Sequence, residues 1–313
     1  MSLAVMAESE TTLLDALLGI PGLKIKTGEP MARYTTMKIG GPADYFIDAD
    51  AKAALVPLLK RLRAVHVPFC LLGKGSNVLV SDRGIRGAVI RLGEEFKRAD
   101  WREEESRASV DVGAAYAMTQ LVREAARRGL GGLEFAEGIP GSVGGALYMN
   151  AGAYGSEMEK IVARVEGTTP AGEPVAFDRD EMTFSYRDSH LPPGTVVTAV
   201  TMRLEKQDAA EVSTKVRELV TRRKASQPAG FPNSGSMFRN PPGDFAGRLI
   251  EAAGFKGRRI GDAQISERHA NFIVNHGGAR AAEVKQLMDA VRAEVKARFG
   301  VELVPEVRFL GEW

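Results

Sequence analysis

The chain reads as an α+β protein: two lobes punctuated by glycine loops, then a smaller α+β domain. Three observations carry that prediction. Apolar runs of strand length alternate with segments whose apolar residues recur every three or four positions. Glycine and proline clusters separate them at 73–77, 138–145, 170–172 and 192–194. Two polar stretches, 94–105 and 205–208, divide the 313 residues. The expected division is an N-terminal segment over 1–35, lobes of about 36–98 and 99–205, and a third domain over 206–313.

Taken in order, residues 12–18 form a short apolar helix candidate closed by Pro21-Gly22. A strand is expected at 43–47 and a helix at 51–65, where Leu55, Leu58, Leu59 and Leu62 share a face. Pro57 belongs to the first turn of that helix or kinks it. Strands at 69–72 and 78–80 flank the first glycine loop, and a third follows at 88–92. In the second lobe a strand at 109–112 precedes a helix at 116–128 that ends in Arg127, Arg128 and Gly129, a favourable C-terminus. Strands follow at 161–167, 175–177 and 195–204. The third region holds helices at 209–223, 245–253 and 280–299 and strands near 236–239, 271–274 and 307–310. Val284, Leu287, Met288, Val291 and Val295 make one apolar stripe along its last helix, which marks it as core.

Composition removes several classes. The chain is 44% hydrophobic and 26% charged with net charge +2, so it carries no basic footprint for nucleic acid. No apolar run approaches ~18 residues and no signal peptide opens the chain, so a cytoplasmic protein without membrane insertion is expected. A single cysteine, Cys70, rules out an internal disulfide. His66, His190, His269 and His276 lack ligand spacing, so no metal is expected.

The stretch GIPGSVGGALYMNAGAYG, Gly138 to Gly155, is the strongest local signal. A glycine loop running into a helical turn can offer backbone N–H groups to an anion, and a tight surface connection reads the same. The earlier loop Leu72-Gly73-Lys74-Gly75-Ser76-Asn77 could likewise cradle a diphosphate, or be a hairpin turn. Neither is a Walker loop, and no G-x-G-x-x-G occurs. Two such loops in consecutive lobes suggest one extended ligand.

TTMKIGGPADYF, LGKGSNVLVSD, EGIPGSVGGALYMNAGAYG, FSYRDS, GSMFRNP, HANFIVN and VPEVRFLG occur in this order from Thr35 to Gly311. Together they resemble the UDP-N-acetylenolpyruvoylglucosamine reductase (UDP-N-acetylmuramate dehydrogenase) family of bacterial peptidoglycan synthesis. The resemblance implies an FAD-binding domain of the p-cresol methylhydroxylase/vanillyl-alcohol oxidase type over 36–205 and a substrate domain over 206–313. It implies non-covalent FAD, held by Gly73, Lys74, Gly75, Ser76, Asn77, Pro140, Gly141, Ser142, Gly144, Gly145 and Asn150. NADPH would be the co-substrate, passing hydride through FAD to the β carbon of an enolpyruvyl ether on a UDP-sugar. The interval from Arg187 to Ser236 is too short for the tyrosine lid loop of the longer form, so the short form is implied. A monomer is expected.

The same resemblance assigns roles. Charge developing on the substrate carboxylate calls for a fixed cation, and the α carbon calls for a proton donor. Arg187 matches the catalytic arginine, whose planar fork suits a carboxylate. A strand-end arginine paired with Asp188 would look alike. Ser236 matches the proton-donating serine, although as residue type alone it reads as a turn serine. Glu306 matches the catalytic glutamate, although an exposed strand carboxylate beside Arg308 reads the same way. Tyr186, Arg223, Lys224, Asn240 and Asn271 would contact the substrate. Outside the family, two readings compete: an O₂-using oxidase of a small alcohol or sugar, and a non-catalytic nucleotide-binding module.

Overall fold

Residues 13–313 are described by a computed structural model, and they fall into two units. The first comprises residues 13–27, 45–73 and 87–220, and the second 28–44, 74–86 and 221–313.

The first unit is built on two sheets. One has the strand order Leu23–Pro30, Pro42–Ala49, Ile85–Leu92, Phe69–Leu71. Helix α1 (Lys52–Ala64) lays Leu55, Leu58, Leu59 and Leu62 against Tyr45, Ile47, Ala88 and Ile90. Each such leucine contributes roughly 1.5–3 kcal/mol on burial. Pro57 lies inside α1 and the helix continues past it. Residues 13–18 are helical, with Leu13 and Leu17 in the same core; Thr12 lies outside the described residues.

The second sheet is antiparallel, in the order Pro174–Asp178, Val162–Thr168, Val196–Lys206, Arg107–Gly113, Ala99–Glu103, with Leu130–Gly131 added beside Val196–Lys206. The strand Ala99–Glu103 replaces part of the charged connection expected at 94–105. It pairs along its length with Arg107–Gly113, and its exposed charges hid the alternation. Helix α2 (Met118–Arg127) buries Met118, Leu121, Val122, Ala125 and Ala126, and the six-residue α3 (Val143–Tyr148) buries Val143, Ala146 and Leu147 in the same core. Helix α4 (Ala209–Ser226) leaves this sheet and runs across the boundary at 220/221.

The second unit has an antiparallel sheet in the order Asn233–Ser236, Phe272–Asn275, Ala263–Ile265, Arg259–Ile260. Its first strand ends at Ser236, where the sequence expectation had one begin. Helix α5 (Ala246–Ala252) and helix α6 (Ala281–Phe299) cover it, and the whole predicted stripe of α6 is buried. Asp82 fixes the start of α6 by accepting hydrogen bonds from the Ala281 and Ala282 amides at 2.8 and 2.9 Å. Arg308–Leu310 pairs in parallel with Val78–Val80. The strands flanking the first glycine loop therefore do not pair with each other: Phe69–Leu71 pairs with Ile85–Leu92. That loop is no hairpin.

Candidate functional site

The second glycine loop differs from its sequence reading in an instructive way. Ser142 is the N-cap of α3, its Oγ accepting from Gly145 N at 3.3 Å. Gly144 and Gly145 thus lie inside the helix rather than before it. The Val143 and Gly144 amides donate to the Tyr116 and Ala114 carbonyls, both at 2.9 Å, and Ala146 N donates to Ser142 O. The first amides of α3 are therefore engaged by protein. Gly144 is glycine for packing: a Cβ there would come within 2.9 Å of Ala114 Cβ. Among the described residues, the N–H groups of Gly141 and Ser142 make no hydrogen bond.

Gly73 meets this loop. A Cβ added to it would lie 2.6 Å from Ser142 Oγ, so the two glycine-rich sequences approach within the first unit. In the first loop the N–H groups of Gly73, Lys74 and Gly75 likewise make no hydrogen bond among the described residues. Backbone donors without protein acceptors, and a close approach that excludes side chains, are what a diphosphate requires. Within the first unit, the donors of Gly73, Gly141 and Ser142 fit the FAD diphosphate. Asn77 is committed otherwise, donating through Nδ2 to Glu306 O at 3.1 Å.

Arg187 occupies the tip of a tight turn. Ser185 and Asp188 exchange backbone hydrogen bonds at 2.9 and 3.0 Å, leaving Tyr186 and Arg187 at the apex. Arg187 has φ +62°, a conformation L-residues rarely adopt. Its guanidinium lies 4.6 Å from the Tyr186 ring centroid, and Nη2 donates to Gly152 O at 3.2 Å. Ser189 Oγ donates to Tyr148 O, and Asn150 Nδ2 donates to Ser185 O at 3.1 Å. Asn150, wholly buried, also accepts from Glu159 N through Oδ1. Its amide is therefore an anchor of the arginine turn. Asn150, Tyr154, Arg187 and His190 all have positive φ and all lie in these facing segments. Positive-φ residues are thus concentrated around the half-buried Arg187 and the segments that face it.

In the second unit, Ser236 and Glu306 sit on adjoining backbones. Glu306 N donates to Met237 O at 2.8 Å, Phe238 bridges Pro305, and Arg239 N donates to Val304 O. Gly235, at φ +73°, turns the chain just before Ser236. The Ser236 hydroxyl makes no hydrogen bond among the described residues. Asn271 is buried and clamps Phe238 through both ends of its amide, Phe238 N to Oδ1 at 3.0 Å and Nδ2 to Phe238 O at 2.8 Å. Asn240 Oδ1 accepts from Ala246 N at the start of α5. Asn271 thus holds the backbone two residues after Ser236, whereas Asn240 holds the start of α5. Sequence could not reveal this, because an asparagine shows its donors and acceptors but not their partners. Arg223 Nε donates to Gln227 Oε1 near the end of α4, with Lys224 exposed beside it.

Cys70, in the strand before the first loop, has its thiol pushed up to about 11 by burial. Its thiolate fraction at pH 8 is then on the order of 10⁻³, so alkylation by iodoacetamide at that pH should be ~100-fold slower than for free cysteine. Labelling at the free-thiol rate would refute this. Among the described residues no group of His, Cys, Asp and Glu could hold a metal ion, and no helix is long and apolar enough to cross a membrane.

Comparison with known proteins gives concordant matches. Residues 43–178 match the FAD binding domain model, and residues 227–310 match the model for the UDP-N-acetylenolpyruvoylglucosamine reductase C-terminal domain. The UDP-N-acetylenolpyruvoylglucosamine reductase 2 of Symbiobacterium thermophilum is 46% identical over 299 residues, 95% of this chain and 96% of that protein. The reductase of Bacillus subtilis is 41% identical over 291 residues, 92% and 94% of the two chains. The crystal structure of UDP-N-acetylenolpyruvylglucosamine reductase from Thermus caldophilus superposes with a TM-score of 0.80 at 39% identity, covering 92% of this chain and 99% of that one.

Proposed function

Since the chain belongs to the UDP-N-acetylenolpyruvoylglucosamine reductase family, we propose that Arg187, Ser236 and Glu306 carry its chemistry. The protein is an FAD-dependent oxidoreductase of peptidoglycan precursor synthesis, acting on the enolpyruvyl CH–CH group with NADPH as co-substrate. FAD, when bound, supplies hydride relay between the nicotinamide and the β carbon. Gly73, Lys74, Gly75, Gly141 and Ser142 hold its diphosphate with backbone N–H groups, and Ser76 and Pro140 complete the two loops.

The protein residues do the rest. Arg187 grips the substrate carboxylate with its guanidinium fork and holds the charge that develops there as hydride arrives. Ser236 delivers the proton to the α carbon, and Glu306 acts with Arg187 to stabilise the intermediate. Tyr186 and the basic end of α4, Arg223 and Lys224, bind the UDP-sugar. Asn271 acts one step back, by clamping the backbone of Phe238 near Ser236, and Asn240, whose Oδ1 holds the start of α5, contacts the substrate through its Nδ2. NADPH and sugar bind in turn, giving ping-pong kinetics. The enzyme is a cytoplasmic monomer, with FAD binding over 36–205 and substrate binding over 206–313. The observation that carries this reading is Arg187 itself: a cation presented at φ +62° from a turn tied down by buried Asn150.

An anaerobic visible spectrum tests it. Flavin bands should bleach with NADPH and return when the enolpyruvyl UDP-sugar is added. In Ser236→Ala the bleaching should persist unchanged, while turnover with the sugar falls on the order of 10²–10⁴-fold, the range for loss of a positioned proton donor. A Ser236→Ala enzyme that reoxidises with the sugar at the parent rate would remove Ser236 from the mechanism. Bleached bands indifferent to the sugar would discard the substrate.

A further inference from the structure

We propose that Ser185 and His190 are positioning residues that hold Arg187 in its carboxylate-binding orientation; this rests on the reading of Arg187 given above. Ser185 Oγ and His190 Nε2 lie 2.7 Å apart, a hydrogen bond whichever atom carries the proton. The bond spans the base of the turn whose apex is Arg187. One residue inward, Asp188 Oδ1 accepts from the backbone N–H of His190 at 2.8 Å. The side chain of residue 188 thereby fixes the backbone of 190, and the side chain of 190 fixes residue 185. Six consecutive residues close on themselves.

The turn needs such a strut. Arg187 and His190 have φ of +62° and +46°, and each costs an L-residue of order 1 kcal/mol or more. Left to itself the segment would relax and carry the guanidinium away. Two further ties, Asn150 to Ser185 O and Ser189 to Tyr148 O, anchor backbone on the side facing α3. The Ser185–His190 bond is made between side chains across the turn, and it lies on the exposed side. An exposed hydrogen bond adds little to global stability, so its effect should fall on the placement of Arg187. A guanidinium displaced by an ångström loses much of its grip on a developing charge.

The experiment compares His190→Ala, Ser185→Ala, His190→Gln and Arg187→Ala with the double variant Arg187→Ala/His190→Ala, all FAD-loaded. His190→Ala and Ser185→Ala should each lower kcat with the enolpyruvyl UDP-sugar by roughly 3–10-fold, the value of one hydrogen bond. Bleaching by NADPH should be unchanged. His190→Gln, whose amide can reach the Ser185 hydroxyl, should recover most of the loss. Without Arg187 the strut has nothing to position, so the double variant should be no slower than Arg187→Ala. A separate readout is sugar affinity from the flavin band shift under oxidised conditions, which should weaken in His190→Ala and recover in His190→Gln. Parent-like kcat and affinity in both alanine variants would overturn the inference, as would an undiminished effect of His190→Ala in the Arg187→Ala background. Parent-like turnover in Arg187→Ala would overturn the reading of Arg187 instead.

Discussion

Arg187→Ala should retain FAD, bleach with NADPH at the parent rate, and turn over the enolpyruvyl UDP-sugar on the order of 10²–10³-fold more slowly. The magnitude is that of removing one preorganised group aimed at charge which develops only in the transition state. The split between half-reactions follows from the chemistry: charge accumulates on the substrate carboxylate when the sugar is reduced, not when NADPH is oxidised. The loss should therefore appear in kcat with the sugar, accompanied by a smaller weakening of sugar affinity. Arg187→Lys should recover only part. An ammonium keeps the charge but lacks the planar fork, and it cannot reproduce both the contact over Tyr186 and the bond to Gly152 O. Folding should survive, because the turn is held by Asn150, Ser189 and the Ser185–Asp188 pair rather than by the arginine. Equal slowing of both half-reactions, or loss of the flavin, would show that Arg187 serves the fold or the cofactor.

The elements legible in the sequence are those whose side chains fall on one face. The stripe of α6 and the leucines of α1 announce their helices because 3.6-residue periodicity survives any surrounding. The strands Leu23–Pro30 and Ala99–Glu103 were not legible: both are short on buried residues, and Lys24, Lys26, Asp100 and Arg102 mask the alternation. The pairing of Val78–Val80 with Arg308–Leu310 joins segments more than 200 residues apart, beyond the reach of any local pattern. At the site, the ordered motifs located Arg187, Ser236 and Glu306, but residue type could not separate ligand contacts from supports. Asn150, Asn240 and Asn271 read as amides awaiting a ligand and are engaged by backbone. Gly144 read as a loop glycine and lies inside α3, packed on Ala114 in the turn after the strand Arg107–Gly113. In each case the residue lies in the right motif, and the role depends on neighbours distant in sequence.

Gly75→Ala should be the most damaging single change in either glycine loop. Gly75 has φ +63°, which costs a side-chain-bearing residue about 1–2 kcal/mol before any contact is considered. Its new Cβ would also stand 2.1 Å from Tyr34 O and 2.9 Å from Thr35 Cα, both backbone atoms. That backbone cannot swing aside. Tyr34 N donates to Met31 O and Tyr34 OH to Glu29 Oε1, Thr35 Oγ1 donates to Ile39 O, and Thr36 donates to Gly75 O and Asn233 O. Moving the loop instead breaks the Thr36 bonds and displaces the Lys74 and Gly75 amides, the donors assigned to the diphosphate. Strain plus lost bonds should amount to roughly 3–5 kcal/mol, a large share of a stability of ~5–15 kcal/mol. The apoprotein melting temperature should fall by about 10 °C, and added FAD should restore less of it than in the parent. Gly73→Ala separates the two effects. Its Cβ meets only a side-chain oxygen, Ser142 Oγ, which can rotate away at the expense of its cap on Gly145 N, about 1 kcal/mol. Its melting temperature should therefore change little while FAD binds more weakly. Should Gly75→Ala melt with the parent and hold FAD as tightly, the loop is not fixed by residues 34–36, and the amides assigned to the diphosphate are not where the cofactor is held.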